Sequence, residues 1–208
     1  MSSYFQYRKY IFRRKIFKLL GAGFYVLNER GKLLFYAEQK AFKLKEDFRV
    51  YSDEQKTREV LIIKTPQILD ISATYNVQDA HTKEFVGAVK RKGVKSIFRD
   101  EWVFLSKEEQ EIGRLTEESI IGTLLSRFIN LIPQKYVILT STGKEVARII
   151  QHFNPFVLKY TMEIKEFPPS IDIRLLIAMG ILLAGIEKRE EINLFNHFQK
   201  NKRSTMYR

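Results

Sequence analysis

Residues 175–186 read LLIAMGILLAGI, twelve positions without a charge in a chain where 29 % of residues are Asp, Glu, Lys or Arg. A bilayer core about 30 Å thick needs roughly 20 apolar residues at about 1.5 Å per residue, so this run is too short to span one. Asp172 and Arg174 bound it on one side and Glu187, Lys188 and Arg189 on the other. Lengthening it would place charges in hydrocarbon at about 2.5 to 3.5 kcal/mol each. A helix apolar around its whole circumference must be enclosed on every side. The rest of the chain therefore has to supply an enclosure.

Residues 24–150 supply one by repetition. An aromatic or β-branched run, a short polar turn and a second apolar run recur five times: FYVLNERGKLLFY from Phe24, FRVYSDEQKTREVLIIK from Phe48, ATYNVQDAHTKEFVGAVK from Ala73, EWVFLSKEEQEIGRL from Glu101 and KYVILTSTGKEVARII from Lys135. Strand formers alternate with polar residues, and Asn28, Asp53, Asp79, Ser106 or Ser141 opens each turn. Five consecutive antiparallel hairpins give about ten strands, and NPFVLKYTMEI adds another, which makes a sandwich or barrel rather than an α/β fold. SIIGTLLSRFINLIP, between the fourth and fifth hairpins, spaces Ile121, Leu124, Leu125, Phe128 and Ile132 as a short helix ended by Pro133. A closed barrel with enough strands has room for a helix, and Ala178, Gly180, Ala184 and Gly185 are small where its walls come close. The expected fold is mainly β: a single closed antiparallel barrel enclosing a hydrophobic C-terminal α-helix at about 172–190. No linker divides the chain, so one domain over 21–190 is flanked by a basic aromatic arm, 1–20, and a basic tail, 191–208.

The 208 residues carry a net charge of +12. Residues 1–20 hold six cations and no acid, and residues 200–208 hold four more, which leaves +2 for the other 179. Basic ends on a nearly neutral body suit a polyanion, whether anionic lipid or nucleic acid, although high lysine content also serves solubility. The chain has no cysteine, which removes thiolate metal sites, disulfides and cysteine nucleophiles and is compatible with the cytoplasm. IFRRKIFKLLGAG lacks the uninterrupted apolar core of a secretory signal.

Two basic clusters stand out. The arm combines Arg8, Lys9, Arg13, Arg14, Lys15 and Lys18 with Tyr4, Phe5, Tyr7, Tyr10, Phe12 and Phe17. It reads either as a membrane-surface segment whose cations meet lipid phosphates or as a first strand, Tyr10 to Leu19, with aromatics packed inward. In VKRKGVKSIFRDEW, Lys90, Arg91, Lys92, Lys95 and Arg99 surround Gly93, a composition for holding a phosphate or for an ordinary solvated loop. His81, His152 and His197 are scattered and show no metal-ligand spacing. Glu108, Glu109 and Glu111 fall in a turn, and no phosphate-cradling or serine-nucleophile motif occurs.

The hairpin FYVLNERGKLLFYAE and the lead from Phe167 and Pro168 to Asp172, Ile173 and Arg174 resemble the phospholipid scramblase, LURP-one-related and tubby C-terminal-like superfamily over roughly residues 10–190. The resemblance implies twelve strands around a hydrophobic C-terminal helix. It also implies departures from the scramblases: LKYTMEIKE, with Glu163 and Glu166 separated by Lys165, replaces the acidic calcium-binding stretch and lacks the closely spaced oxygen ligands calcium requires. The scramblases' cysteine-rich segment is also missing. The expectation is a scramblase-like or LURP-one-like protein, not an enzyme and without cofactor or metal. It would bind anionic phospholipid at a membrane surface through the two clusters and lie in the cytoplasm or against the inner face of the membrane. No scrambling activity is implied, and nucleic-acid binding or a protein-interaction role is the alternative use of the same surface.

Overall fold

In the computed structural model, the described residues are 3–15, 22–39, 47–66, 73–92, 101–118, 134–152 and 157–185. The short helix expected within 119–133, the tail 191–208, Lys18, Lys95, Arg99 and the end of the central helix, 186–190, lie outside them.

Twelve strands alternate inward apolar with outward polar positions: β1 (Lys9–Arg14), β2 (Ala22–Leu27), β3 (Leu33–Gln39), β4 (Asp47–Tyr51), β5 (Glu59–Lys64), β6 (Thr74–Asp79), β7 (Phe85–Arg91), β8 (Glu101–Leu105), β9 (Glu111–Glu117), β10 (Lys135–Thr140), β11 (Glu145–His152) and β12 (Lys159–Ile164). Each pairs antiparallel with its sequence neighbours, and β1 pairs with β12 to close the barrel. The arm therefore becomes a wall strand, preceded by a 3₁₀ turn over Ser3–Phe5. On β1, Tyr10 and Phe12 are fully buried while Arg13 is exposed.

All five expected hairpins form, and they share one turn chemistry. A side chain at the head of each turn accepts backbone N–H groups that the sheet leaves unpaired: Asn28 from Arg30 and Lys32, Asp53 from Thr57, Asp79 from His81 and Thr82, Ser106 from Glu108 and Gln110, and Thr140 from Lys144. In the fifth hairpin the acceptor is Thr140, the last residue of β10, one residue before the expected Ser141. Every turn then uses a left-handed residue, with φ of 75° at Gly31, 63° at Lys56, 61° at Lys83, 62° at Glu109 and 85° at Gly143. Each hairpin shifts register by a bulge beside its turn. A left-handed L-residue costs about 1 to 2 kcal/mol, and glycine returns part of that gain through its greater freedom when unfolded. Lys83→Gly or Glu109→Gly is therefore expected to stabilise the protein by about 0.5 to 1 kcal/mol. That corresponds to a rise in Tm of about 1 to 4 °C, and a fall in Tm would show that the side chains matter more than the backbone conformation.

The helix α1, residues 173–185, threads the barrel. Asp172 caps it by accepting the Arg174 N–H at 2.8 Å, beside the turn between β6 and β7. At the far end Gly185 lies against Phe48 and Phe24, near the starts of β4 and β2. Leu176, Ile177, Ala178, Met179, Ile181, Leu182, Leu183 and Ala184 have no exposed surface. Phe12, Phe24, Phe35, Phe48, Phe104, Tyr136 and Tyr160 belong to the same buried core. Gly180 is required by closeness, since any Cβ there would overlap the Phe12 ring.

Candidate anion-binding surface

The pairing of β1 with β12 brings the first and last strands together on the barrel wall and sets three outward rows across adjacent strands. Tyr25 of β2 is opposite Arg13 of β1, Arg13 is opposite Lys159 of β12, and Lys159 is opposite His152 of β11. The next row runs Leu27, Ile11, Thr161 and Ile150, all half-buried. The third runs Lys9, Glu163 and Arg148. Cations, with Glu163 between two of them, thus flank a half-buried row that is aliphatic except for Thr161.

Three of these cations are electrostatically unusual. Among the described residues, most nearby basic groups have a carboxylate partner: Lys15 with Glu54, Arg49 with Asp47 and Glu59, Lys56 with Glu38, Arg148 with Glu118 and Glu145, and Lys165 with Glu145. Among the same residues no carboxylate lies in ion-pair contact with Lys9, Arg13 or Lys159. The Arg13 guanidinium lies over the Tyr25 ring, 5.4 Å from its centroid, on the side away from Lys159. His152 Nε2 is 2.6 Å from the Thr161 hydroxyl. Partial burial, and after it the charges of Lys159 and Lys9, push the His152 imidazole below its ordinary pKa.

The remaining arm residues disperse. Arg8 donates to the Lys165 carbonyl at 2.9 Å and lies over the exposed Phe167 ring. Arg14 is on the inward phase of β1, opposite Phe24. Lys15 is tied to Glu54, and this hydrogen bond raises its pKa. The second cluster is also divided. Lys90 is exposed, the Arg91 guanidinium lies 5.8 Å from the centroid of the buried Trp102, and Lys92 pairs with Glu101 at 3.2 Å and approaches Glu111. In the closed ring β7 is six strands from β1 in either direction, so the two clusters occupy opposite walls. Twelve strands about 4.8 Å apart and tilted about 40° give a barrel roughly 24 Å across, too far for both to hold one phosphate. Lys159 and His152, which join Arg13 across the closure, have no local signal in the sequence beyond their outward phase on β12 and β11.

Around the Glu163 stretch, Glu166 pairs with Lys144 at 2.6 Å, and Glu163 sits between Lys9 and Arg148 in its row. The described residues contain no group of three or more His, Asp or Glu placed to hold a metal ion. None of their helices is long and apolar enough to cross a membrane.

A closed twelve-strand antiparallel barrel threaded by a buried apolar helix is the architecture of the tubby C-terminal-like superfamily. Within it, the family model described as LURP-one-related matches residues 8–184, from the entry to β1 to the last turns of α1, and the chain belongs to that family. No match was found among curated proteins.

Proposed function

We propose that this LURP-one-related barrel is a non-catalytic membrane-surface protein that lays the wall of β2, β1, β12 and β11 against anionic phospholipid. The observation that carries this is the set of Lys9, Arg13 and Lys159, without carboxylate partners among the described residues, bordering the half-exposed Leu27, Ile11 and Ile150. Near an anionic leaflet each cation contributes about 1 kcal/mol, and aliphatic side chains entering the headgroup region add to this. The charged outward positions are the reverse of a lipid-spanning barrel's apolar belt. The anionic cytoplasmic leaflet is the matching surface, so the proposed location is the cytoplasm at its membrane face.

Nucleic-acid binding is the second reading, favoured by the row Tyr25, Tyr36 and Tyr51, which continues from Arg13 across β2, β3 and β4. Arg13, Lys15 and Lys56 already lie over these rings, and Tyr36 is 3 % exposed, which limits stacking with bases.

Flotation with phosphatidylcholine vesicles, with and without phosphatidylglycerol, tests the membrane proposal. The protein should float only with the anionic vesicles, and less as salt rises from about 0.1 M to about 1 M and the Debye length falls from about 10 Å to about 3 Å. Lys9→Glu, Arg13→Glu and Lys159→Glu together should abolish flotation with the melt retained, whereas Lys90→Glu with Lys92→Glu should leave most of it. Undiminished flotation of the triple variant would exclude this wall. Anionic vesicles should also displace the protein from nucleic acid, and their failure to do so would favour the second reading.

A further inference from the structure

We propose that Arg13, Lys159 and His152 form a binding site for a phosphomonoester, so that the wall distinguishes a terminal phosphate from a phosphodiester of equal surface charge. Its lipid-borne form rests on the membrane proposal above, while a soluble phosphate ester would use the same atoms.

The three side chains occupy one cross-strand row on adjacent strands. With strands about 4.8 Å apart, the row spans about 10 Å between its outer Cα atoms, a span that His152 and Arg13, once the guanidinium swings off the Tyr25 ring, can bridge to a group held at the central Lys. Like charges directly opposite one another on a sheet are unfavourable, yet Arg13 is paired in register with Lys159, and among the described residues no carboxylate is in ion-pair contact with either. Beyond Arg13 the same row continues through Tyr25, Tyr36 and Tyr51 to Glu59, and the nearer acid, Glu54, is engaged by Lys15 and the Tyr25 hydroxyl. On β12 itself the outward acid is Glu163, four residues from Lys159 and about 13 Å along the strand. The Arg13 guanidinium turns onto the Tyr25 ring, and an anion bound between the two cations would draw it back toward Lys159.

The histidine makes the site selective. Among the described residues the charged groups acting on it are Lys159 from β12 and Lys9 from β1, with Arg13 two strands away in the same row and Lys135 of β10 opposite Ile150, two residues along β11. All four are cations. Among the described residues Thr161 hydrogen-bonds the ring, and partial burial, followed by the charges of Lys159 and Lys9, holds the imidazole toward its neutral form until an anion arrives. A phosphomonoester carries about −1.5 to −2 charge near pH 7 and three acceptor oxygens, while a phosphodiester carries one charge and two free oxygens. The monoester can accept from Arg13 and Lys159 and still favour protonation of His152, and charge-assisted hydrogen bonds of this kind are about twice as strong as neutral ones. Binding should therefore take up a proton, with affinity rising as pH falls from about 8 toward about 6.5 and declining below about 6 as the phosphate itself protonates.

Phosphatidylcholine vesicles containing phosphatidic acid are compared with vesicles containing phosphatidylglycerol at matched surface charge, alongside NMR of the His152 imidazole during addition of glycerol 3-phosphate. Wild type should prefer phosphatidic acid by about tenfold, the worth of roughly one charge-assisted hydrogen bond. His152→Gln, an outward substitution checked by an unchanged melt, should lose that preference and keep most of the phosphatidylglycerol binding, whereas Lys159→Gln should lose the preference together with part of the phosphatidylglycerol binding. Equal binding of wild type to the two vesicles refutes the site while leaving the membrane proposal standing, as does a preference that survives in both variants. Binding to neither vesicle refutes the membrane proposal, and the imidazole titration then decides the site alone: a saturable shift with glycerol 3-phosphate supports a soluble ester as ligand, and no shift refutes it.

Discussion

Replacing Ala178 or Ala184 with arginine is expected to leave no folded, soluble protein. Both have zero exposed surface on a helix surrounded by barrel wall, so the guanidinium would have neither water nor partner. An uncompensated buried charge costs several kcal/mol, and the added volume must also displace rings such as Phe12, Phe24 and Phe48. Against a total stability of about 5 to 15 kcal/mol for a domain, the sum is enough to unfold it. Expression of the two variants, with circular dichroism and a thermal melt of any soluble fraction, checks this. A variant melting cooperatively within a few degrees of wild type would show that the helix is not enclosed.

The second large effect is expected at Arg174, where α1 enters the barrel. Its guanidinium is 12 % exposed and meets three carboxylates, Asp172 at 2.7 Å, Glu84 at 3.0 Å and Asp79 at 3.2 Å, while Lys107 joins Glu84 at 2.5 Å. The network ties the helix cap to the turn between β6 and β7. Arg174→Ala leaves clustered acids around an empty position, at a cost of about 2 to 4 kcal/mol after allowing for the carboxylates' partial exposure. Arg174→Lys should recover part of this, keeping the charge but losing the planar fork. The pH dependence has a definite sign. Glu84 is held below its ordinary value by Lys107 and then Arg174. Burial, the largest influence on Asp79, raises its pKa, but the Thr82 and His81 amides and Arg174 together outweigh it and hold the group low. Depressed carboxylates contribute stability above their unfolded values, 4.5 and 3.8, and lose it as pH falls through the folded ones. The stability gap between wild type and Arg174→Ala should therefore narrow on acidification below about pH 4.5, and a gap that widens would mean the acids are not paired as described.

The barrel was legible because its information is local. Alternation fixes which face of each strand is buried, and the acceptors Asn28, Asp53, Asp79 and Ser106 announce the turns. Only Thr140 displaced the expected Ser141, since two adjacent hydroxyl residues are equally able to open a turn. The length and all-round apolarity of Leu175 to Gly185 required enclosure, and the wall supplies it.

The candidate surface was legible only in part. Adjacency groups Arg8, Lys9, Arg13, Arg14 and Lys15 into one basic arm, whereas the period-two pleat and the tertiary partners separate them. Arg13 and Lys9 face outward and, among the described residues, make no ion-pair contact with a carboxylate, although Lys9 lies opposite Glu163; Arg14 takes the inward phase, Arg8 meets a backbone carbonyl and Lys15 meets Glu54. Lys159 and His152 share a row with Arg13 through the register of the barrel's closing strands, a juxtaposition of residues more than 130 positions apart. Nothing in the spacing of His152 within QHFNPF announces a cationic neighbourhood, because its neighbours come from other strands.

The absence of cysteine permits the most direct test, since any single cysteine introduced is the only site of labelling. Ile150→Cys, in the aliphatic row between the cations, and Glu108→Cys, on an exposed hairpin turn, would each carry an environment-sensitive fluorophore while anionic vesicles are added. If the wall of β2, β1, β12 and β11 docks on the membrane, emission at position 150 should shift to the blue and become protected from an aqueous quencher, with position 108 unchanged. A shift confined to position 108, or no shift at position 150 under conditions where the protein floats, would contradict the account.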